Sequence, residues 1–380
     1  MTTHVFIVDD NTFKYHLEYL FVGTGGKEYN VDFNNRTDSA LHYTTENMLV
    51  GMMADGCRLR QDDFVLFYVQ SSGGKEGKFY GIFKVANDCI FIENNSSQQY
   101  LKNILHKNLT FRQCIIPYKV YENGVTEWEA LDEIRNTPAP CQMIWSLIYR
   151  KLKGNRGNTM VTIYEADKLF DLIRSKNNGT ILNGTSFSYN GEKIVNSDNI
   201  NHYEGNQDIK PNIKTRFISK YNAKLAHEAH LQMLIMQNIG NGTIISLDET
   251  LGVNRENIEW LGNEVSCGVG MQRIDIMISQ KVDDTQRNII PIELKAVPAS
   301  IDNIKQINRY IDWIEQYYNP NRASTICPVL ICKKHNPISN DLKNEFRAFN
   351  ANGIGRYQPL VYIEYWVDNE NNINFSRVQY

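Results

Sequence analysis

Two short apolar runs hold charged residues that their neighbours cannot solvate, and this conflict limits how the chain can fold. Residues 273–279 and 288–295 both read as strands, joined by a polar turn at 280–287. The first sets Asp275 between Ile274 and Ile276, and the second sets Glu293 and Lys295 two positions apart in an Ile/Leu-rich run. Side chains alternate along a strand, so Glu293 and Lys295 share one face while Ile292 and Leu294 take the other. An acid and an amine leaving an apolar strand together are costly unless paired or used. With the two strands adjoining, Asp275 brings a second carboxylate nearby. Two carboxylates suit a hard divalent cation, whose shell water and a phosphate oxygen complete. The lysine is suited to position an attacking water or to stabilise charge developing on phosphorus. An ion pair on a strand face, with no further role, is the alternative.

The surrounding pattern predicts an α/β unit on a mixed sheet. It gives a long helix over 219–237, strand-like pieces at 243–247 and 258–265, then the two charged strands. A helix over 300–318, a strand at 326–333, a helix over 339–350 and a strand at 360–367 follow. The chain has 380 residues, too many for one comfortable core. The expected class is therefore multidomain α+β or α/β, with domains at 1–150, 151–213 and 214–380. The first is mainly β: a strand at 4–8, a helix over 12–21, and strands at 63–69 and 79–85 forming a hairpin across a Gly/Lys turn. The second is a connector or small subdomain with one helix over 164–176.

Net charge is −3, which gives no overall attraction to nucleic acid or membrane, so any such binding needs a local patch. Residues 151–220 supply one, with 11 Lys/Arg against 7 Asp/Glu. Arg150, Lys151, Lys153 and Arg156 follow the apolar stretch 143–149. They are read either as a phosphate-contacting loop or as cations at a helix C-terminus. No apolar run is long enough to span a membrane, and the first residues lack the pattern of a signal peptide. The 7 cysteines are scattered without a Cys-x-x-Cys pair, which disfavours a disulfide scaffold or a Cys-rich zinc site. A cytoplasmic location is expected. His227 and His230 share a helical face but have no third ligand in view, and Cys327 and Cys332 read as core.

The Asp275…Glu293-x-Lys295 arrangement resembles the PD-(D/E)XK nuclease superfamily, as does the order helix, strands, helix, strand. Glu228 on the preceding helix matches the glutamate that many of these nucleases add to the metal site. Gln306 and Tyr310 match the family's Gln-x-x-x-Tyr signature. The context is similar to that of archaeal single-strand and mismatch endonucleases and some restriction enzymes. The likeness spans residues 214–335, and Ile274 stands where the literal motif has proline. It implies a restriction-endonuclease-like sheet flanked by helices. Asp275, Glu293 and Glu228 would hold Mg2+, with Mn2+ as substitute, Lys295 would position or activate water, Gln306 would support the site or contact the DNA backbone, and Tyr310 would contact DNA.

The segments 40–53, 56–69 and 80–85 resemble the PUA/EVE/YTH-like group of small β-barrels, over residues 1–130. That resemblance implies a domain holding a modified or flipped base in an aromatic pocket. Tyr43, Tyr68, Trp128 and Trp145 are its candidate walls, although core packing explains each of them as well. Together the resemblances imply a restriction-type endonuclease acting on double-stranded DNA as a homodimer. The alternatives are a mismatch or branched-DNA repair endonuclease, and an inactive protein that binds modified nucleic acid.

Overall fold

The computed structural model describes residues 1–25, 31, 33, 43–94, 97–138, 157–268, 272–335 and 337–380, the side chains of residues 43 and 44 excepted. The chain forms two compact units. One is Met1–Asp32 with Asp55–Pro211, and the other is Phe33–Ala54 with Asn212–Tyr380.

The first unit opens with β1 (Thr3–Val8) and α1 (Asp10–Glu18), where the Asp9 carboxylate caps the helix by accepting from the Thr12 amide at 2.8 Å. The helix expected to reach Phe21 stops earlier: Leu20 turns left-handed at φ 47°, and Phe21 begins β2 (Phe21–Thr24). Next along the chain comes α2 (Tyr43–Cys57), whose residues up to Ala54 belong to the second unit, and then, in the first unit, β3 (Phe64–Val69), β4 (Lys78–Val85), β5 (Phe91–Ile92) and α3 (Lys102–Leu105). β6 (Phe111–Pro117), β7 (Val125–Thr126), α4 (Glu127–Asp132), β8 (Asn158–Val161) and α5 (Ile163–Lys176) follow. A small hairpin, β9 (Phe187–Tyr189) with β10 (Ile194–Asn196), completes the unit.

Among the described residues the main strands order as β2-β6-β4-β3-β1-β8 in a curled half-barrel sheet, with β5 on β6 and β7 on β4. The expected hairpin of β3 and β4 is antiparallel, whereas β1 runs parallel to β3. α5 starts at a Thr162/Glu165 capping box and buries Ala166, Leu169 and Ile173 against Val5, Leu66 and Phe79. Each of these Val, Leu, Ile and Phe side chains contributes about 1.5–3 kcal/mol on burial. Residues 157–211 do not form a separate connector, because β8 pairs with β1 and carries this stretch into the first unit.

The second unit runs α6 (Lys214–Asn222), α7 (Glu228–Asn238), α8 (Ile245–Leu251), β11 (Ile258–Ser266), β12 (Arg273–Lys281) and β13 (Arg287–Lys295). α9 (Ile301–Trp313), β14 (Thr325–Ile326), β15 (Val329–Lys333), α10 (Asn340–Asn352), β16 (Val361–Val367) and β17 (Ile373–Arg377) follow. The sheet order is β11-β12-β13-β15-β16-β17, with β14 on β13. β13, β15 and β16 are parallel, and the outer pairs are antiparallel. The architecture is thus mixed α+β in both units.

Three expectations change here. The long helix at 219–237 is two helices, broken where Lys224 turns left-handed at φ 55° and the His227 ring is held between Leu225 O and the Tyr365 hydroxyl. Residues 243–247 are not strand. They enter α8, whose Leu247 and Leu251 are buried at i and i+4, and the Asp248 carboxylate accepts the Gly240 and Gly242 amides. The strand at 326–333 is interrupted at Pro328, which has no N–H for a ladder.

Candidate active site

β12 and β13 pair in a register that places Ile276 opposite Ile292. One step beyond that pair, Asp275 and Glu293 leave the ladder on neighbouring strands. Asp275 Oδ2 accepts the backbone N–H of Leu294 at 2.8 Å, so the amide between Glu293 and Lys295 fixes the aspartate. Strand alternation then puts the Lys295 ammonium 2.6 Å from Glu293 Oε1. Glu293 is fully buried. Its Oε2 accepts from the Tyr310 hydroxyl at 2.7 Å, and that hydroxyl also lies 2.8 Å from the Arg273 carbonyl oxygen. Gln306, one turn earlier on α9, donates to the Tyr310 oxygen at 2.8 Å. The spacing of Gln306 and Tyr310 gives them one helix face, and that face closes over Glu293.

Glu228 opens α7 rather than lying mid-helix, and its half-exposed side chain comes 3.6 Å from the Lys295 ammonium. Lys295 therefore stands between two carboxylates. Burial alone would lower it, but the charges of Glu293, Glu228 and Asp275 hold it above its ordinary value, so it acts as a cation rather than a base. Burial pushes the Asp275 carboxyl well above its usual range and the Glu293 charge adds to this, against the Leu294 amide and Lys295. Packing around the Glu228 carboxylate raises it as well, with Lys295 opposing.

Two crowded carboxylates of this kind are relieved by a divalent cation, and the oxygen-only donor set fits Mg2+ or Mn2+. Among the described residues no group of three or more His, Cys, Asp or Glu side chains is arranged to hold a metal. A cation here would rely on Asp275 and Glu293, with water and phosphate oxygens completing its shell, and Glu228 is held through Lys295 instead.

The sequence reading passed over Gln232. One turn after Glu228, its amide donates to the Asp275 carbonyl at 2.9 Å and to Glu264 at 3.2 Å, and Glu264 in turn pairs with Arg273 at 2.9 Å. The i, i+4 spacing from Glu228 was the available signal. Glu46 was missed too. It is buried in a bidentate pair with Arg216 at 2.7 and 3.0 Å, with His230 Nε2 at 2.7 Å and Lys220 at 3.6 Å. His230 is committed to Glu46 and His227 to Tyr365, so the two histidines are structural and form no zinc pair.

The remaining expected site residues fare differently. Tyr310 is buried against Glu293, which makes it a positioning residue rather than a DNA contact. Tyr68 is core: it packs on Phe79 with ring centroids 5.1 Å apart, and its hydroxyl donates to the buried Glu127. Trp128 lies on the surface of α4, 53% exposed, and Cys327 is only half-buried while Cys332 is core. Trp145, Arg150, Lys151, Lys153 and Arg156 lie outside the described residues, as does the Tyr43 side chain. No described helix is long and apolar enough to cross a membrane.

No protein-family model matches the sequence, and no curated protein matches it. Among solved structures, the chain is similar to a hypothetical protein from Leishmania major at 11% identity and a TM-score of 0.26, covering 46% of this chain and 96% of that one. It is also similar to the human THYN1 protein in complex with 5-methylcytosine containing DNA, at 10% identity and a TM-score of 0.22, covering 45% and 97%. Likenesses this loose carry no argument about what this chain binds.

Proposed function

We propose that the second unit is a Mg2+-dependent DNA endonuclease of restriction type, and that the first unit reads the sequence or modified base that selects its target. One observation carries the reading: Asp275, Glu293 and Lys295 converge from adjoining strands, and Gln306 and Tyr310 lock the central carboxylate. A bound divalent cation would polarise the scissile phosphate and make its water more acidic. Asp275 and Glu293 would hold it. Tyr310 and the Leu294 amide fix the rotamers of those carboxylates, so the site is ordered before substrate arrives. Lys295, kept protonated, would orient the attacking water and offset negative charge on the phosphoryl oxygens. Water oxygen bonds to phosphorus as the bond to the 3′ oxygen breaks, leaving a 5′-phosphate and a 3′-hydroxyl. With one such site among the described residues, double-strand cutting calls for two copies.

A second reading is favoured by the same contacts. The Lys295 ammonium already balances the charge at Glu293 Oε1, which accepts no hydrogen bond, and Tyr310 donates to Oε2, a neutralisation without a cation as expected of an inactive protein that binds modified nucleic acid.

The test is cleavage of matched duplexes with Mg2+, one unmodified and one carrying modified cytosine or adenine, by the natural protein and by Lys295→Ala. Cutting of modified DNA alone, lost in the variant, identifies a modification-dependent enzyme. Discrete fragments from both duplexes identify a sequence reader. Cleavage that survives Lys295→Ala refutes the site. Where neither duplex is cut, mismatched and forked DNA test the repair alternative. Calorimetry then separates an inactive fold, which shows no Mg2+ or Mn2+ binding that Asp275→Asn removes.

A further inference from the structure

Two cysteines far apart in sequence meet in the first unit. Cys57 ends α2, Cys89 lies in the loop before β5, and their sulfurs are 3.8 Å apart. Gly56 gives the loop room: a Cβ there would fall 2.3 Å from Cδ1 of Ile90, the residue after Cys89, so a larger residue would require the Ile90 side chain to shift. The loop is also held from both sides. The Cys89 amide donates to Leu59 O at 3.2 Å, and the Gln113 side-chain amide donates to the carbonyls of Asn87 and Cys89. Cys89 itself takes φ 61°, a left-handed conformation uncommon outside glycine.

The two thiols are unequal. Cys57 is buried; Cys89 is partly exposed. The contact with Cys57 and the nearby Lys210 ammonium lower the Cys89 thiol against the cost of burial, while the Cys57 thiol is raised by Cys89 and by burial. That division suits a nucleophilic thiolate and a resolving thiol.

We propose that Cys57 and Cys89 are a redox-modification site, which a peroxide converts reversibly to an intramolecular disulfide. The Cys89 thiolate attacks one peroxide oxygen; a sulfur–oxygen bond forms, the oxygen–oxygen bond breaks, and the departing hydroxide takes a proton to become water. Cys57 sulfur then attacks the Cys89 sulfenic acid. The sulfur–sulfur bond forms, the sulfur–oxygen bond breaks, and the Cys57 proton leaves with that oxygen as a second water. Each sulfur gives up one electron and the peroxide takes both. The sulfurs need close only to about 2.0 Å. An excess of a dithiol returns two electrons and restores the pair.

The test treats the full-length reduced protein with hydrogen peroxide, alkylates it in denaturant and maps its peptides by mass spectrometry, with Cys114 as internal control. Cys114 is partly exposed, and burial pushes its thiol up to about 11. The expected result is loss of two of the seven thiols, a Cys57–Cys89 cross-linked peptide that dithiothreitol reverses, and modification of Cys89 at least roughly tenfold faster than Cys114. In Cys57→Ser, dimedone should trap Cys89 as the sulfenic acid. Oxidation of Cys114 as fast as Cys89, a bridge to another cysteine, or over-oxidation of Cys89 without the cross-link overturns the proposal. The mapping of the natural protein decides this even if the variant fails to fold.

Discussion

Replacing Lys295 by Met isolates the interaction at the centre of the site. Glu293 is fully buried, and Lys295 supplies the positive charge at Oε1, 2.6 Å away, with a side chain 20% exposed. Breaking a buried pair from one side costs about 3–5 kcal/mol, because the surviving charge is left uncompensated. The partial exposure of Lys295 admits some water, which places Lys295→Met near the lower end, at about 3 kcal/mol. Glu293→Gln keeps an acceptor for Tyr310 but strands the ammonium, which can turn toward Glu228 and solvent. It should cost less, about 2 kcal/mol. In the double variant neither charge remains, so the two costs should fail to add by about 2 kcal/mol. Urea unfolding followed by tryptophan fluorescence measures this, since Trp260 and Trp313 are buried in the same unit, 1% and 5% exposed. Costs that add to within about 0.5 kcal/mol would refute the pairing. On the endonuclease reading, Lys295→Met also lowers turnover by about 10²–10³-fold, a loss the double variant does not recover.

Three further outcomes are expected. Glu46→Gln leaves Arg216 and Lys220 buried beside a neutral amide, and should destabilise the second unit by about 3 kcal/mol in the same assay; a cost under about 1 kcal/mol would show that the network is not closed. Burial pushes His16 down to about 4, so below pH 6.5 the unfolded chain takes up a proton that the folded chain refuses. Stability full above that pH should fall by up to about 3 kcal/mol as the solution is acidified toward pH 4, and His16→Gln should flatten that slope; an unchanged slope refutes the assignment. Tyr68→Phe leaves the buried Glu127 short of a donor and should cost about 1–3 kcal/mol, whereas exposed Trp128→Ala should stay within about 0.5 kcal/mol. A reversed order in denaturant melts would contradict their placement.

How much was legible depended on the range of the forces involved. The charged strands, the helix carrying Gln306 and Tyr310, and the β3–β4 hairpin were readable because strand and helix periods repeat within a few residues. Pieces whose conformation depends on a distant partner were misread. The break before Glu228 needs the Tyr365 hydroxyl to hold His227, and Tyr365 is 138 positions away. Tyr68 looked like a pocket wall because an aromatic residue in a strand has the same local signature whether it lines a cavity or fills a core.

Local periodicity was enough to say which residues could form a charged centre in an apolar sheet, because the alternation that buries Ile292 and Leu294 also brings Glu293 and Lys295 to one face. It also determined that Gln306 and Tyr310 share one side of their helix. That this side covers Glu293, and that the Leu294 amide fixes Asp275, came only from the folded arrangement. Only it could decide that residues 157–211 belong with the first strand, or that Glu46 joins helices some 170 positions further on. Pairings across such separations leave no period in the chain, and they are selected by the burial and charge compensation of the whole folded unit.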